Sequence, residues 1–189
     1  MLYRAKYFHH SLLLMLLIIG GTLLSEATTP AFADSPTVKG IITAGSLGGT
    51  TATSYSVTGT PGSTVTYPMP FISNDLRGTA AGWNISITST TLTGSDGTMP
   101  TGVSTIIGTT AICTTSGTCS NDILTNTITG PIALPSALET APPAVKFFGT
   151  PASTGAGTYT VIPIISVSIP GGTLIGIYSS TVTLTISAI

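Results

Sequence analysis

Apolar and polar residues alternate most regularly along residues 83–88, where the chain reads Trp-Asn-Ile-Ser-Ile-Thr. A period of two predicts a β-strand with one buried face and one solvent-exposed face. The stretch holds the only Trp of the chain, and its pattern continues to about residue 92. We therefore expect this strand to be the element around which the rest of the chain packs.

Similar alternation, or runs of β-branched residues between Gly and Pro turns, marks the other predicted strands. They lie at residues 38–43, 54–58, 64–71, 103–112, 123–128, 145–148, 161–169 and 178–186. No segment keeps a 3.6-residue period over three turns, which predicts an all-β fold. Short strands with frequent turns indicate a sandwich or a barrel, and the irregular Pro-rich connections favour a single Greek-key-like β-sandwich, immunoglobulin-like in general architecture.

Several connections carry their own predictions. Gly48-Gly49 predicts a turn, and residues 131–143 predict a loop with a helical turn at 136–139. Pro68 and Pro70 cannot donate to a ladder, so residues 64–71 are expected at an edge or where the chain changes sheets. The last two strands are joined by a turn at residues 170–172 and predict a C-terminal β-hairpin with Val182, Leu184 and Ile186 facing inward.

The first 33 residues have the pattern of a cleaved secretory signal. Arg4 and Lys6 precede an apolar core at residues 12–19, and Ala31-Phe32-Ala33 provides small residues for cleavage before Asp34. The alternative is an uncleaved anchor, but the apolar core falls short of the ~20 residues that span a bilayer. The sequence thus predicts a secreted domain over residues 34–189, with no membrane association after cleavage.

The expected secreted domain has few charges. Its charged side chains are Lys39, Arg77, Lys146, Asp34, Asp75, Asp96, Asp122 and Glu139. Nucleic-acid binding and adhesion to anionic lipid both need clustered Lys and Arg, so neither is expected. An apolar fraction of 42% also argues against an intrinsically disordered chain.

Both cysteines, Cys113 and Cys119, lie in the expected secreted part and flank a Ser-Gly turn signal. An oxidising exterior permits a disulfide across the ends of a hairpin loop. Closing so short a loop stabilises by about 2 kcal/mol on the chain-entropy estimate.

Catalytic and metal-binding residue types are scarce. His9 and His10 both lie in the predicted signal peptide, so the secreted domain has no His for a catalytic triad or a metal site. We expect a protein that is not an enzyme and that uses no cofactor or metal. Asp75, Asp96 and Asp122 could bind calcium, but Asn-Asp and Asp-Gly pairs are also turn formers, and we favour that interpretation.

Three stretches together resemble the WxL-domain cell-surface proteins of Gram-positive bacteria. Residues 75–87, DLRGTAAGWNISI, are similar to the first signature, an acidic-Arg-Gly run before Gly-Trp-x-Leu. Residues 145–160 resemble the family's apolar run ending in Gly-x-Gly, and residues 168–186 its closing hairpin. The resemblance covers residues 35–189. Ile85 replaces the Leu of the first signature, and Leu184-Thr185-Ile186 stands where the second signature has an aromatic residue.

The resemblance implies a surface-associated protein bound non-covalently to the cell wall, through peptidoglycan or other surface proteins. It makes Trp83, Arg77 and Asp75 the candidate ligand-binding residues. Trp83 is either a core anchor of its strand or an exposed aromatic surface for a ligand. Arg77 either pairs with Asp75 or contacts an anionic wall polymer. An alternative function is a structural subunit of a pilus, spore coat or surface layer, because Thr-rich β domains with few charges can polymerise through open strand edges.

Overall fold

The computed structural model describes residues 40–52 and 54–189. The predicted signal peptide over residues 1–33 and the start of the predicted domain lie outside the described residues. All the strands lie within residues 42–189, which pack as one unit. None of the described residues is helical.

Twelve strands follow one another along the described residues. They are β1 (Leu47–Thr51), β2 (Thr64–Pro68), β3 (Phe71–Asp75), β4 (Trp83–Thr90), β5 (Thr93–Gly94), β6 (Gly97–Thr98), β7 (Ser104–Cys113), β8 (Ile132–Ala133), β9 (Ser136–Ala137), β10 (Val145–Gly149), β11 (Gly157–Ser168) and β12 (Val182–Ala188).

The strands form two main sheets. The larger sheet has the order β1-β3-β11-β7-β8, and β2 also pairs with β11. The smaller sheet has the order β10-β4-β12, with β9 running parallel to β4, and β5 and β6 form a separate hairpin. Neither main sheet closes into a barrel. The all-β prediction is confirmed, and the arrangement is consistent with the predicted β-sandwich.

The predicted C-terminal hairpin is wrong. β11 lies in the large sheet between β3 and β7, whereas β12 lies in the small sheet and pairs antiparallel with β4. In that pairing Leu184 is opposite Ile87 and Ile186 is opposite Ile85, so apolar rows meet on one face. Alternation showed correctly that these side chains point inward, but it does not specify which strand lies alongside.

Five local predictions also fail. Residues 40–43, 54–58 and 123–128 form no strand, and residues 136–139 contain β9 instead of a helical turn. Gly48-Gly49, predicted as a turn, lies within β1. A Cβ on Gly49 would overlap the ring of Phe71, so glycine here permits close packing between strands.

The predicted extended run at residues 64–71 is interrupted where its prolines lie. Pro68 ends β2, and β3 begins after Pro70. Both strands pair with β11, β3 along residues 157–161 and β2 along residues 164–168, so the chain does not change sheets there.

The core lies between the two main sheets. Its largest fully buried side chains are Trp83, Tyr159, Phe147, Phe148, Ile85 and Ile87. The strand predicted from the alternation is confirmed as β4, but its expected wet face is wrong, because Asn84 and Thr88 are buried too. The Thr88 hydroxyl donates to the carbonyl of Pro142, and the Ser187 hydroxyl donates to the Asn84 side chain. β4 is therefore covered on both faces.

Candidate functional site

The structure brings the three candidate ligand-binding residues together in the turn between β3 and β4. Asp75 ends β3, and its two carboxylate oxygens accept hydrogen bonds from Nε and Nη2 of Arg77, both at 2.9 Å. The same Nη2 also donates to the carbonyl of Gly82 at 2.8 Å. One guanidinium thus joins the end of β3 to the residue preceding β4.

The electrostatics of this pair keep both partners charged. Hydrogen bonding from Arg77 lowers the pKa of Asp75, and this outweighs the opposing effect of burial. The hydrogen bond to Asp75 in turn raises the pKa of Arg77. A bidentate pair of this kind has defined geometry, and the Asp75 carboxylate is fully buried. Its charge is compensated within the turn and is not available to a ligand.

Trp83 is fully buried at the start of β4. Its indole Nε1 donates to the carbonyl of Gly155 at 2.9 Å, and its ring packs against Phe148 and Tyr159, with centroids 5.4 Å and 6.3 Å away. Its backbone N–H donates to the Thr150 hydroxyl at 3.1 Å. Trp83 is therefore a core anchor in this structure, and its ring offers no surface to a wall polymer.

Two glycines allow the chain to pass this close to the tryptophan. Gly82 and Gly155 have φ angles of 81° and 82°, a region that favours glycine. A Cβ on Gly155 would lie 2.6 Å from Nε1 of Trp83, and a Cβ on Gly82 would lie 2.7 Å from the carbonyl of Thr150. Any side chain at either position would displace the indole or the loop that accepts its hydrogen bond.

The loop at residues 150–155 completes this site and was not singled out as part of it from the sequence. Thr150 exchanges two hydrogen bonds with Trp83, through its hydroxyl and through its backbone N–H. The Gly-x-Gly at residues 155–157 stood out in the sequence only because of the family resemblance. A buried Trp needs a partner for its N–H, which signals that an acceptor exists without showing where it lies in the chain.

The predicted disulfide between Cys113 and Cys119 is confirmed, with Cα atoms 6.0 Å apart. Oδ1 of Asp122 accepts hydrogen bonds from the Ser116 hydroxyl and the Gly117 N–H within the same loop. Asp122 therefore acts as a turn former here. Across residues 40–52 and 54–189, no three His, Cys, Asp or Glu side chains group together as metal ligands would.

An exposed groove, which we call the end groove, lies beside the segment at residues 168–186. This end groove, about 350 Å³ in volume, lies between the β5–β6 hairpin and the loop at residues 170–178. Asp96, Met99, Thr173, Leu174 and Tyr178 contribute to its lining. The Tyr178 hydroxyl donates to the carbonyl of Leu174 at 3.0 Å and so holds the loop.

The loop beside the end groove presents aliphatic side chains to solvent. Leu174, Ile175 and Ile177 are 61%, 91% and 89% exposed. Aliphatic residues between glycines, in a segment without strand alternation, are the sequence signal that could have identified this surface. The end groove therefore combines a carboxylate, hydroxyls, an aromatic ring and an apolar rim.

No family model, no curated protein and no solved structure matches this chain. Within the part of the chain that the structure describes, there is no helix with the length and apolarity to cross a bilayer.

Proposed function

We propose that the protein is a secreted, WxL-like bacterial surface protein that associates non-covalently with the peptidoglycan of the cell wall. The observation that carries this proposal is that the three family-like stretches, distant in sequence, meet on β4. The first contains the beginning of β4, the second contains β10 and the Trp83 acceptor Gly155, and the third reaches into β12. β10 and β12 flank β4 on its two sides.

The end groove is the surface we assign to wall contact, since Trp83 is buried and Asp75 is paired. Binding sites for small polar ligands typically combine apolar walls with a few placed polar groups. Here the Asp96 carboxylate can accept hydrogen bonds from sugar hydroxyls, and the Thr173 hydroxyl can donate or accept them. The ring of Tyr178 can lie against a sugar face. The scarcity of charge nearby favours a glycan over a strongly anionic polymer.

A pelleting assay with purified cell wall tests this proposal. We expect the purified protein to sediment with wall material, and Tyr178→Ala and Asp96→Asn to reduce the bound fraction without changing the unfolding midpoint substantially. Tyr55→Ala is the matched control, because Tyr55 is a partly exposed tyrosine outside the end groove. Failure of the unmodified protein to pellet would refute wall binding, and equal loss in the Tyr55 variant would refute the groove assignment.

A structural subunit of a pilus, spore coat or surface layer is the second candidate. The observation in its favour is the outer edge of β12, which pairs with no strand in the part of the chain that the structure describes and could accept one. Filaments or sheets in electron micrographs of the purified protein would support this function, and their absence would count against it.

A further inference from the structure

β12 is an edge strand whose outer side has no hydrogen-bonded partner strand among the described residues, although β1 of the large sheet lies close to it. It pairs with β4 on one side over residues 182–188. The Thr90 N–H donates to the carbonyl of Thr181 at 2.9 Å, and this bond fixes which residues of β12 are hydrogen-bonded to β4. In an antiparallel pair, every second residue bonds to the same neighbour. Residues 183, 185 and 187 therefore face β4, and the backbone groups of Val182, Leu184 and Ile186 point to the open side.

The apolar side chains of β12 are also incompletely covered. Val182, Leu184 and Ile186 pack against the core but stay partly exposed, whereas their neighbours Ile85 and Ile87 on β4 are fully buried. The small sheet thus ends one strand short of complete burial at this side. A further strand beside β12 would bond the open backbone groups and cover the same three side chains.

Nothing in the sequence of this edge prevents such an addition. Natural edge strands are commonly protected by Lys, Pro, bulges or a covering loop. β12 contains neither Pro nor a charge, its pairing with β4 has no register shift, and residues 147–189 contain no Asp, Glu, Lys or Arg. The opposite edge of the same sheet, β10, has a bulge after Lys146 and is bonded by the segment at residues 126–128.

We propose that the open edge of β12 is a self-association site, where β12 of a second copy pairs antiparallel and joins the two small sheets. β12 is complementary to itself in the register centred on Thr185. Leu184 of one copy then lies opposite Ile186 of the other, and Thr183 opposite Ser187, so apolar and hydroxyl rows match. Residues with open backbone groups face one another in this register, which allows up to about eight backbone hydrogen bonds.

The two-fold axis of this dimer passes between the two copies of Thr185. These residues form a non-hydrogen-bonded pair, whose side chains approach each other most closely in antiparallel sheets. Thr185 is exposed in the single copy, so substitutions there act on the pairing and leave the core intact. The interaction is isologous and closes on itself, which produces a dimer and not a filament.

Sedimentation equilibrium of the purified protein tests the proposal. We expect a dimer, and we expect Thr185→Lys to weaken it by about fivefold or more, because two like charges would be directly opposed. Mixing the Thr185→Lys and Thr185→Glu variants should restore association. The matched control is Thr66→Lys, a Lys on an exposed Thr of β2, which should leave the dimer unchanged.

Cross-linking gives an independent measurement of register. Thr185→Cys should form a disulfide-linked dimer on oxidation, and Thr66→Cys should not. A wild-type protein that stays monomeric at all concentrations would overturn the proposal, as would a dimer insensitive to Thr185→Lys. Open-ended oligomers would also overturn it and would favour the structural-subunit function, whereas wall binding is measured separately and does not depend on this result.

Discussion

The two edges of the small sheet differ in how completely they are protected. At β10, the side-chain amide of Asn126 donates to the carbonyl of Phe147 at 2.9 Å and accepts from the N–H of Gly149 at 3.0 Å. The N–H of Thr127 donates to the carbonyl of Gly149. At β12, no described residue takes these positions on the outer side. Among the described residues, one edge is closed by hydrogen bonds from the chain itself, whereas the other has β1 nearby but no hydrogen-bonded partner.

The same difference appears in the packing. Phe147 and Phe148 of β10 are fully buried, whereas Leu184 and Ile186 of β12 are only partly covered. Both strands flank β4 in the same sheet, so the contrast comes from what lies on the outer side of each. At the β10 edge the backbone groups are hydrogen-bonded and the side chains are buried, whereas at the β12 edge both are incomplete.

The largest expected effect contrasts one apolar residue from each edge. Phe148 and Ile186 both lie opposite Ile85. Phe148→Ala should lower the free energy of unfolding by about 3–5 kcal/mol, because it leaves a cavity beside Trp83. Ile186→Ala should cost about 1 kcal/mol, since the side chain is already partly exposed. Denaturant unfolding at concentrations where copies do not associate measures both, and equal losses would contradict the contrast.

The next effect concerns the side chain that closes the β10 edge. Asn126→Ala removes its hydrogen bonds to Phe147, Gly149 and Ile128, and we expect a loss of about 2–3 kcal/mol. Asn121→Ala is the control, because among the described residues the Asn121 side chain hydrogen-bonds the hydroxyl of Ser120 and no other group. Thermal and denaturant unfolding should separate the two variants, and similar small losses would show that the Asn126 bonds contribute little.

How far the sequence predicted these features depends on the range of the interactions. The alternation identified β4 and the inward row of β12, and the spacing of the two cysteines around a turn indicated the disulfide, because these follow from local sequence. It did not reveal that β11 and β12 separate into different sheets, since pairing partners are chosen across the whole chain.

The candidate site shows the same limit. The Asp75–Arg77 pair, two residues apart, was foreseen as one interpretation of the turn. The acceptors for Trp83 lie 67 and 72 residues away at Thr150 and Gly155, and no local pattern indicates them. Likewise, nothing in the sequence around Asn126 marks it as the residue that closes the β10 edge.

Low pH should weaken the Asp75–Arg77 pair in the turn before β4. We expect this to destabilise both edges of the small sheet to the same extent. The folded-state pKa of Asp75 is lowered, so the pair stabilises the protein above the unfolded-state pKa, about 3.9, and this contribution is lost as pH falls through the folded value. Asp75→Asn should cost about 1–2 kcal/mol at neutral pH and flatten the acid dependence of unfolding. Asp96→Asn is the control, and an unchanged acid profile in Asp75→Asn would contradict this assignment.

The smallest expected effect on stability is that of Lys146→Thr, which tests whether a charge or the neighbouring segment protects the β10 edge. Lys146 is exposed on this strand and is its only charge. Lys146→Thr should change the free energy of unfolding by less than about 0.5 kcal/mol, as is usual for surface substitutions. If the segment at residues 126–128 is what closes the edge, the variant will associate no more than the wild type in sedimentation equilibrium. New association of Lys146→Thr that persists when Thr185 is also substituted would instead show that the charge of Lys146 protects the β10 edge. The two edges would then differ because β12 lacks such a lysine.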